Sequence, residues 1–60
     1  MQDLRDRLKK YHELEGISYK TISKDIGVST GVMYNFTSGI RDLKEHIANK
    51  LDNYLSERNY

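Results

Sequence analysis

Gly16-Ile17-Ser18-Tyr19-Lys20-Thr21-Ile22-Ser23-Lys24-Asp25-Ile26-Gly27-Val28-Ser29-Thr30-Gly31-Val32-Met33-Tyr34-Asn35-Phe36-Thr37-Ser38-Gly39 reads as two short helices joined by a glycine turn. Ser18 is a good N-cap for the first of them, about 18–26, because its short side-chain oxygen can accept from a free first-turn N–H. Ile22 and Ile26, four apart, give that helix one inward face. Gly27 then stops it, since glycine enters the left-handed conformation of a sharp turn without steric cost. Ser29 caps the second helix, about 29–38, and Met33 and Phe36, three apart, face the core. Thr30, Gly31, Val32, Tyr34 and Asn35 are left over its N-terminal end and outer side.

The flanks extend the same pattern. Leu4, Leu8 and Tyr11 form one stripe of a first helix that Asp3 can begin and Gly16 ends, with Leu14 and Ile17 expected to close its exit. Ile40 is expected to tuck over the joint after Gly39. Asp42-Leu43-Lys44-Glu45 has the D-x-x-E form of a capping box, placed before Leu43, Ile47, Leu51 and Leu55 at spacing four. This fourth helix should reach about Ser56. With no proline and no alternating strand pattern, the expectation is all-α: a compact four-helix domain over 1–60 with a central helix-turn-helix and a frayed tail.

Composition narrows the function classes. A chain of 60 residues makes one domain and has no room for a deep catalytic cleft. Cysteine is absent, so neither disulfides nor a thiolate metal site can staple it. No apolar stretch approaches the roughly 18 residues of a membrane span, and Met1-Gln2-Asp3-Leu4-Arg5-Asp6-Arg7 lacks a signal peptide's apolar run, so a cytoplasmic location is expected. The net charge is only +1, but residues 16–44 carry Lys20, Lys24, Arg41 and Lys44 against Asp25 and Asp42. The positive excess therefore lies on the central segment, where a nucleic-acid partner would need it.

Gly16-Ile17-Ser18 leading into helix two, Ile22-Ser23 within it and Gly27-Val28-Ser29 at the turn resemble the helix-turn-helix of phage lambda-repressor and Cro-type (XRE-like) regulators, from about Leu4 to Leu51. In that family Leu-Ala stands at the Ile22-Ser23 positions; a serine fits the close helix contact if its hydroxyl finds a backbone acceptor. Members also tie helix one to the end of helix three with a buried arginine and glutamate, whose positions here are His12 and Thr37, which suggests a neutral hydrogen bond instead. Gly27-Val28-Ser29-Thr30-Gly31-Val32-Met33-Tyr34 is also similar to the reader helix of tetracycline-repressor-type regulators. Those proteins have a longer loop before helix two than Gly16 to Ser23 allows, and a large ligand-binding domain besides.

The resemblance implies a sequence-specific transcriptional regulator, a repressor or Cro-like switch of phage or mobile-element type, with a double-stranded DNA operator as partner. Its reader helix would place Thr30, Gly31, Val32, Tyr34 and Asn35 at base edges: Asn35 can pair bidentately with adenine, and Thr30 and Val32 can set methyls against thymine. Ser18, Tyr19, Lys20, Ser29, Arg41 and Lys44 would hold phosphates, although family members often have glutamine where Tyr19 stands. Lys24 is read as a solvated charge. Because one small reader helix buries little surface, a homodimer is expected, with Tyr54, Leu55 and Tyr60 as its candidate interface or, equally, as a cap on helix one.

The rival reading is a protein-binding helix-turn-helix module, an antirepressor or inhibitor that does not itself read DNA. An enzyme is not expected: His12 and His46 lie on different helices, Ser23 and Ser29 have no evident base, and no Gly-rich phosphate loop or H-E-x-x-H pair is present. No cofactor, metal or small-molecule ligand is implied.

Overall fold

Four helices, α1 (Gln2–Glu15), α2 (Tyr19–Ile26), α3 (Thr30–Thr37) and α4 (Glu45–Glu57), account for the fold of the computed structural model, which describes all 60 residues. The domain is all-α, and its helices begin and end largely where local chemistry requires. Ser18 Oγ accepts from the Thr21 N–H at 3.1 Å, and Ser29 Oγ accepts from the Val32 N–H at 3.2 Å. Gly27, at φ 77°, closes α2 with the paired bonds of a Schellman turn, its own N–H to Lys24 and that of Val28 to Ser23. Gly39 closes α3 in the same way, at φ 82°.

Leu8, Ile22, Met33, Phe36, Leu51 and Leu55 are fully buried, with Tyr11, Ile26, Leu43 and Tyr54 around them. All four helices contribute, so α3 is held from behind by α1 and α2 while its opposite side faces outward. Ser23, buried where α2 meets the core, donates its hydroxyl to the Tyr19 carbonyl at 2.7 Å, which supplies the backbone acceptor the sequence called for.

Five local expectations are corrected. The N-cap of α1 is Met1, with no side-chain bond, and Asp3 lies inside the first turn, where it favours the helix dipole. Asp42 does not cap α4; its carboxylate meets Arg5 at 3.1 Å, and the helix starts two residues later than a D-x-x-E box requires, after Lys44. Leu14 is 65% exposed: Tyr60 covers the neighbouring flank of α1, its ring on Tyr11 and its hydroxyl on Glu15, and Ile17 alone packs at the exit. Ile40 is 70% exposed because the joint it was to cover is filled by Arg5. The tail is not frayed: Asn59 takes φ 66°, Tyr60 N–H returns to the Leu55 carbonyl, and Arg7 donates to the Tyr60 carbonyl at 2.8 Å.

Arg5 supplies the link between α1 and the end of α3. Its side chain is buried, Nε donates to the Phe36 carbonyl, one Nη donates to Gln2, and the other reaches Arg41 O and Asp42. The guanidinium also lies 4.6 Å from the centre of the Phe36 ring. His12 and Thr37 do not bond each other. His12 Nδ1 donates to Ile17 O at 2.5 Å, and Thr37 donates to Tyr34 O.

Of Tyr54, Leu55 and Tyr60, offered as a dimer interface or, equally, as a cap on helix one, the first two belong to the core of the single chain, and half-buried Tyr60 lies with its ring on Tyr11 of α1. The late turns of α4 cover α1, and Tyr54 packs edge-on against Tyr11. Burial first, then hydrogen bonding to Tyr11 and Asp25, pushes the Tyr54 phenol well above its ordinary value of 10.0. Tyr60 is raised by its hydrogen bond to Glu15, and Tyr19 by burial. Their protons are held more tightly in the folded chain, so the stability they add is intact below the free-phenol pKa and lost as pH rises above it. Thermal melts should therefore show a falling midpoint above about pH 10, and a shallower fall in Tyr54→Phe.

Candidate nucleic-acid interface

The exposed side of α3 follows from what its other side buries. Met33 and Phe36 are fully inside, which leaves Gly31, Val32, Tyr34 and Asn35 exposed and Thr30 half-exposed at the helix start. The side chains of Thr30 and Asn35 make no hydrogen bond within the chain. The Asn35 carbonyl, by contrast, accepts from Ile40 N–H, Arg41 N–H and Ser38 Oγ, so the backbone beneath that free amide is fixed. An unsatisfied amide on a rigid helix is suited to paired donor and acceptor recognition.

Tyr34 is positioned from α2. Its ring meets Tyr19 edge-on at 5.7 Å, and Tyr19 in turn stacks on His12 at 4.0 Å with an 18° tilt. The His12 bond to Ile17 therefore braces a ladder of three rings that runs from α1 to the outer side of α3. Burial, then the Glu13 carboxylate and the Tyr34 phenol, pushes Tyr19 above the ordinary phenol range, so at neutral pH it is an uncharged donor.

The second part of the surface is the segment after α3. Arg41 and Lys44 are exposed and form no ion pair; the two ion pairs of the chain are Arg5–Asp42 and Arg7–Asp52. Both free cations line an open groove that also touches Val32 and Asn35, so the two ends of the expected contact set meet there. Lys20 is exposed at the start of α2, beside Ser18. The Ser18 hydroxyl, however, caps Thr21 N–H and donates to Thr21 Oγ1, whereas Ser29 Oγ accepts from Val32 and keeps its own proton free. His46, which also lines the groove, was missed because the sequence weighs it only as a catalytic residue. Its place two residues past Lys44, in the first turn of α4, is the signal that could have found it.

Gly31 is the second residue of α3, and a Cβ built on it meets nothing within 4 Å. Packing within the chain therefore does not require glycine there. Gly31→Ala should raise stability by about 0.5–1 kcal/mol through helix propensity. If the bare backbone is there for the approach of a partner, the same variant should bind a selected duplex more weakly. Melts and gel shifts run side by side check both halves.

No protein-family model, curated protein or solved structure matches this chain. No helix is long and apolar enough to cross a membrane.

Proposed function

We propose that this chain is a sequence-specific DNA-binding transcriptional regulator of the lambda-repressor and Cro type, which acts by occupying an operator and excluding polymerase or a competing regulator. The observation that carries this reading is the division of α3: Met33 and Phe36 fully buried behind it, Thr30, Gly31, Val32, Tyr34 and Asn35 in front, and the unpaired Arg41 and Lys44 beside them. Thr30, Val32 and Asn35 would read base edges in the major groove, with Tyr34 at the groove wall. Arg41, Lys44, Lys20, Tyr19 and the Ser29 hydroxyl would fix register on phosphates, and Ser18 would serve through the helix N-terminus it caps.

Two copies on a palindromic site, reader helices about 34 Å apart, would supply the interface area that one domain lacks. With Tyr54 and Leu55 in the core, such a pair must meet through other surfaces. A cytoplasmic location accompanies this role.

Salt dependence tests the phosphate half of the reading. Each contact to double-stranded DNA contributes about 0.9 to the slope of log K against log salt. Arg41→Gln and Lys44→Gln should each bind less tightly and reduce that slope by about one, with sequence preference unchanged. Slopes identical to the parent chain would remove these two residues from the contact set.

A further inference from the structure

The groove beside α3 is more apolar than phosphate contacts require. It has a volume of about 400 Å³ and is lined by exposed Val32, half-buried Ile47 and buried Leu43 together with the exposed Arg41, Lys44 and His46. The one carboxylate that lines it, Asp42, is held through one oxygen by Arg5 at 3.1 Å and shares the lining with the cations Arg41 and Lys44, which leaves the groove positive by one even with Arg5 left out of the count. Ile40, 70% exposed immediately before Arg41, continues the apolar surface outward.

This combination selects among occupants. A DNA duplex would satisfy Arg41, Lys44 and Val32 but leave Ile47 wet, and a wholly apolar partner would leave Arg41 and Lys44 unmatched. A small molecule is disfavoured because sites for such ligands bury some 70–90% of the ligand, which an open groove on so small a domain does not do. An extended or helical segment with carboxylates flanking apolar side chains answers both the apolar lining and the cations.

We propose that this groove docks an acidic segment of a partner protein, its carboxylates on Arg41, Lys44 and His46 and its apolar side chains on Val32, Leu43 and Ile47. Since Val32 and Asn35 also belong to the face proposed to read DNA, the docked segment and the duplex exclude each other. That exclusion rests on the DNA-reading proposal; the docking does not. The result is an off-switch that works by occupying the reader's flank.

The test is a selection of displayed random peptides on the immobilised full chain, followed by synthesis of the most enriched peptide and amide-shift mapping by NMR. The expected peptide carries Asp or Glu beside Leu, Ile or Phe, and its shifts centre on Val32, Leu43 and Ile47. Replacing its acids with Gln, or its apolar residues with Ser, should each weaken binding about tenfold or more. Ile47→Gln should weaken it similarly while keeping duplex affinity; His46→Ala, at an exposed position, is the second variant should Ile47→Gln unfold. Equal binding by the Ser-substituted peptide would overturn the proposal, because charge alone would then suffice. So would shifts elsewhere, no enrichment, or 2-naphthoate giving the same shifts at equal affinity. Peptide binding at the groove by a chain that binds no duplex would keep the docking and overturn the exclusion together with the DNA-reading proposal.

Discussion

Asn35→Ala is expected to leave general duplex affinity nearly intact and to cost about 1–3 kcal/mol of discrimination at one base position, roughly 5- to 150-fold. The amide has no partner inside the chain, and its backbone is pinned by three donors to one carbonyl, so truncation removes a recognition group without loosening α3. Asn35→Asp is the sharper comparison. It keeps the size and the acceptor, removes the donor and adds a charge near the phosphates, so it should lose both preference and affinity. Thr30→Ala should relax a different position by less, since it removes a methyl contact and one hydroxyl. Competition gel shifts against single-base variants of a selected duplex measure each loss. If Asn35→Ala and Thr30→Ala both behave like the parent chain, the reading face lies elsewhere.

Arg5→Met is expected to destabilise the domain by about 2–3 kcal/mol, because the buried fork loses its bonds to two carbonyls and to Asp42 while the unbranched stem still packs. For a domain of this length the whole stability is on the order of 3–9 kcal/mol, so the melting midpoint should fall by roughly 10–20 °C. Arg5→Lys should recover little, since an ammonium cannot span Phe36, Arg41 and Asp42 in one plane. There is a functional consequence as well. Arg5 holds the segment that carries Arg41 and Lys44, so Arg5→Met kept folded at low temperature should also show a shallower salt dependence. A variant with unchanged stability would mean that the α1–α3 link is carried by apolar packing alone.

The contrast between these residues shows which parts of the fold can be read from the chain. Ser18, Gly27 and Ser29 were legible because capping and the left-handed turn are settled within a few residues by local hydrogen bonds. Met33 and Phe36 were legible because helical spacing alone sets their shared face, and the exposed residues of α3 followed from them by elimination. Arg5 was not. A charged residue in the first turns of a helix reads as surface, and its acceptors are backbone carbonyls, which carry no sequence label, on residues more than thirty positions away. Asp42 was misread for the same reason: the local D-x-x-E pattern competes with a tertiary ion pair, and the ion pair wins.

At the C-terminal end, Asn59 was the available clue, since asparagine is among the residues that accept the left-handed conformation. Tyr54 and Leu55 show a further limit. Helical spacing places them on one side of α4 but does not say whether α1 or a second copy covers that side; the aromatic contact with Tyr11 decides for α1. The groove was illegible for a related reason, because Val32, Arg41 and Ile47 come together only once the turn after α3 has folded.

The most direct test of the central claim, that the outward face of α3 reads duplex DNA, is repeated selection from a randomised duplex pool by the full chain and by the double variant Thr30→Ala/Asn35→Ala in parallel. The account predicts that the parent chain enriches a palindromic sequence and that the double variant, still folded and still binding weakly, enriches no such sequence. Enrichment of the same sequence by both proteins, or of none by the parent chain, would contradict it.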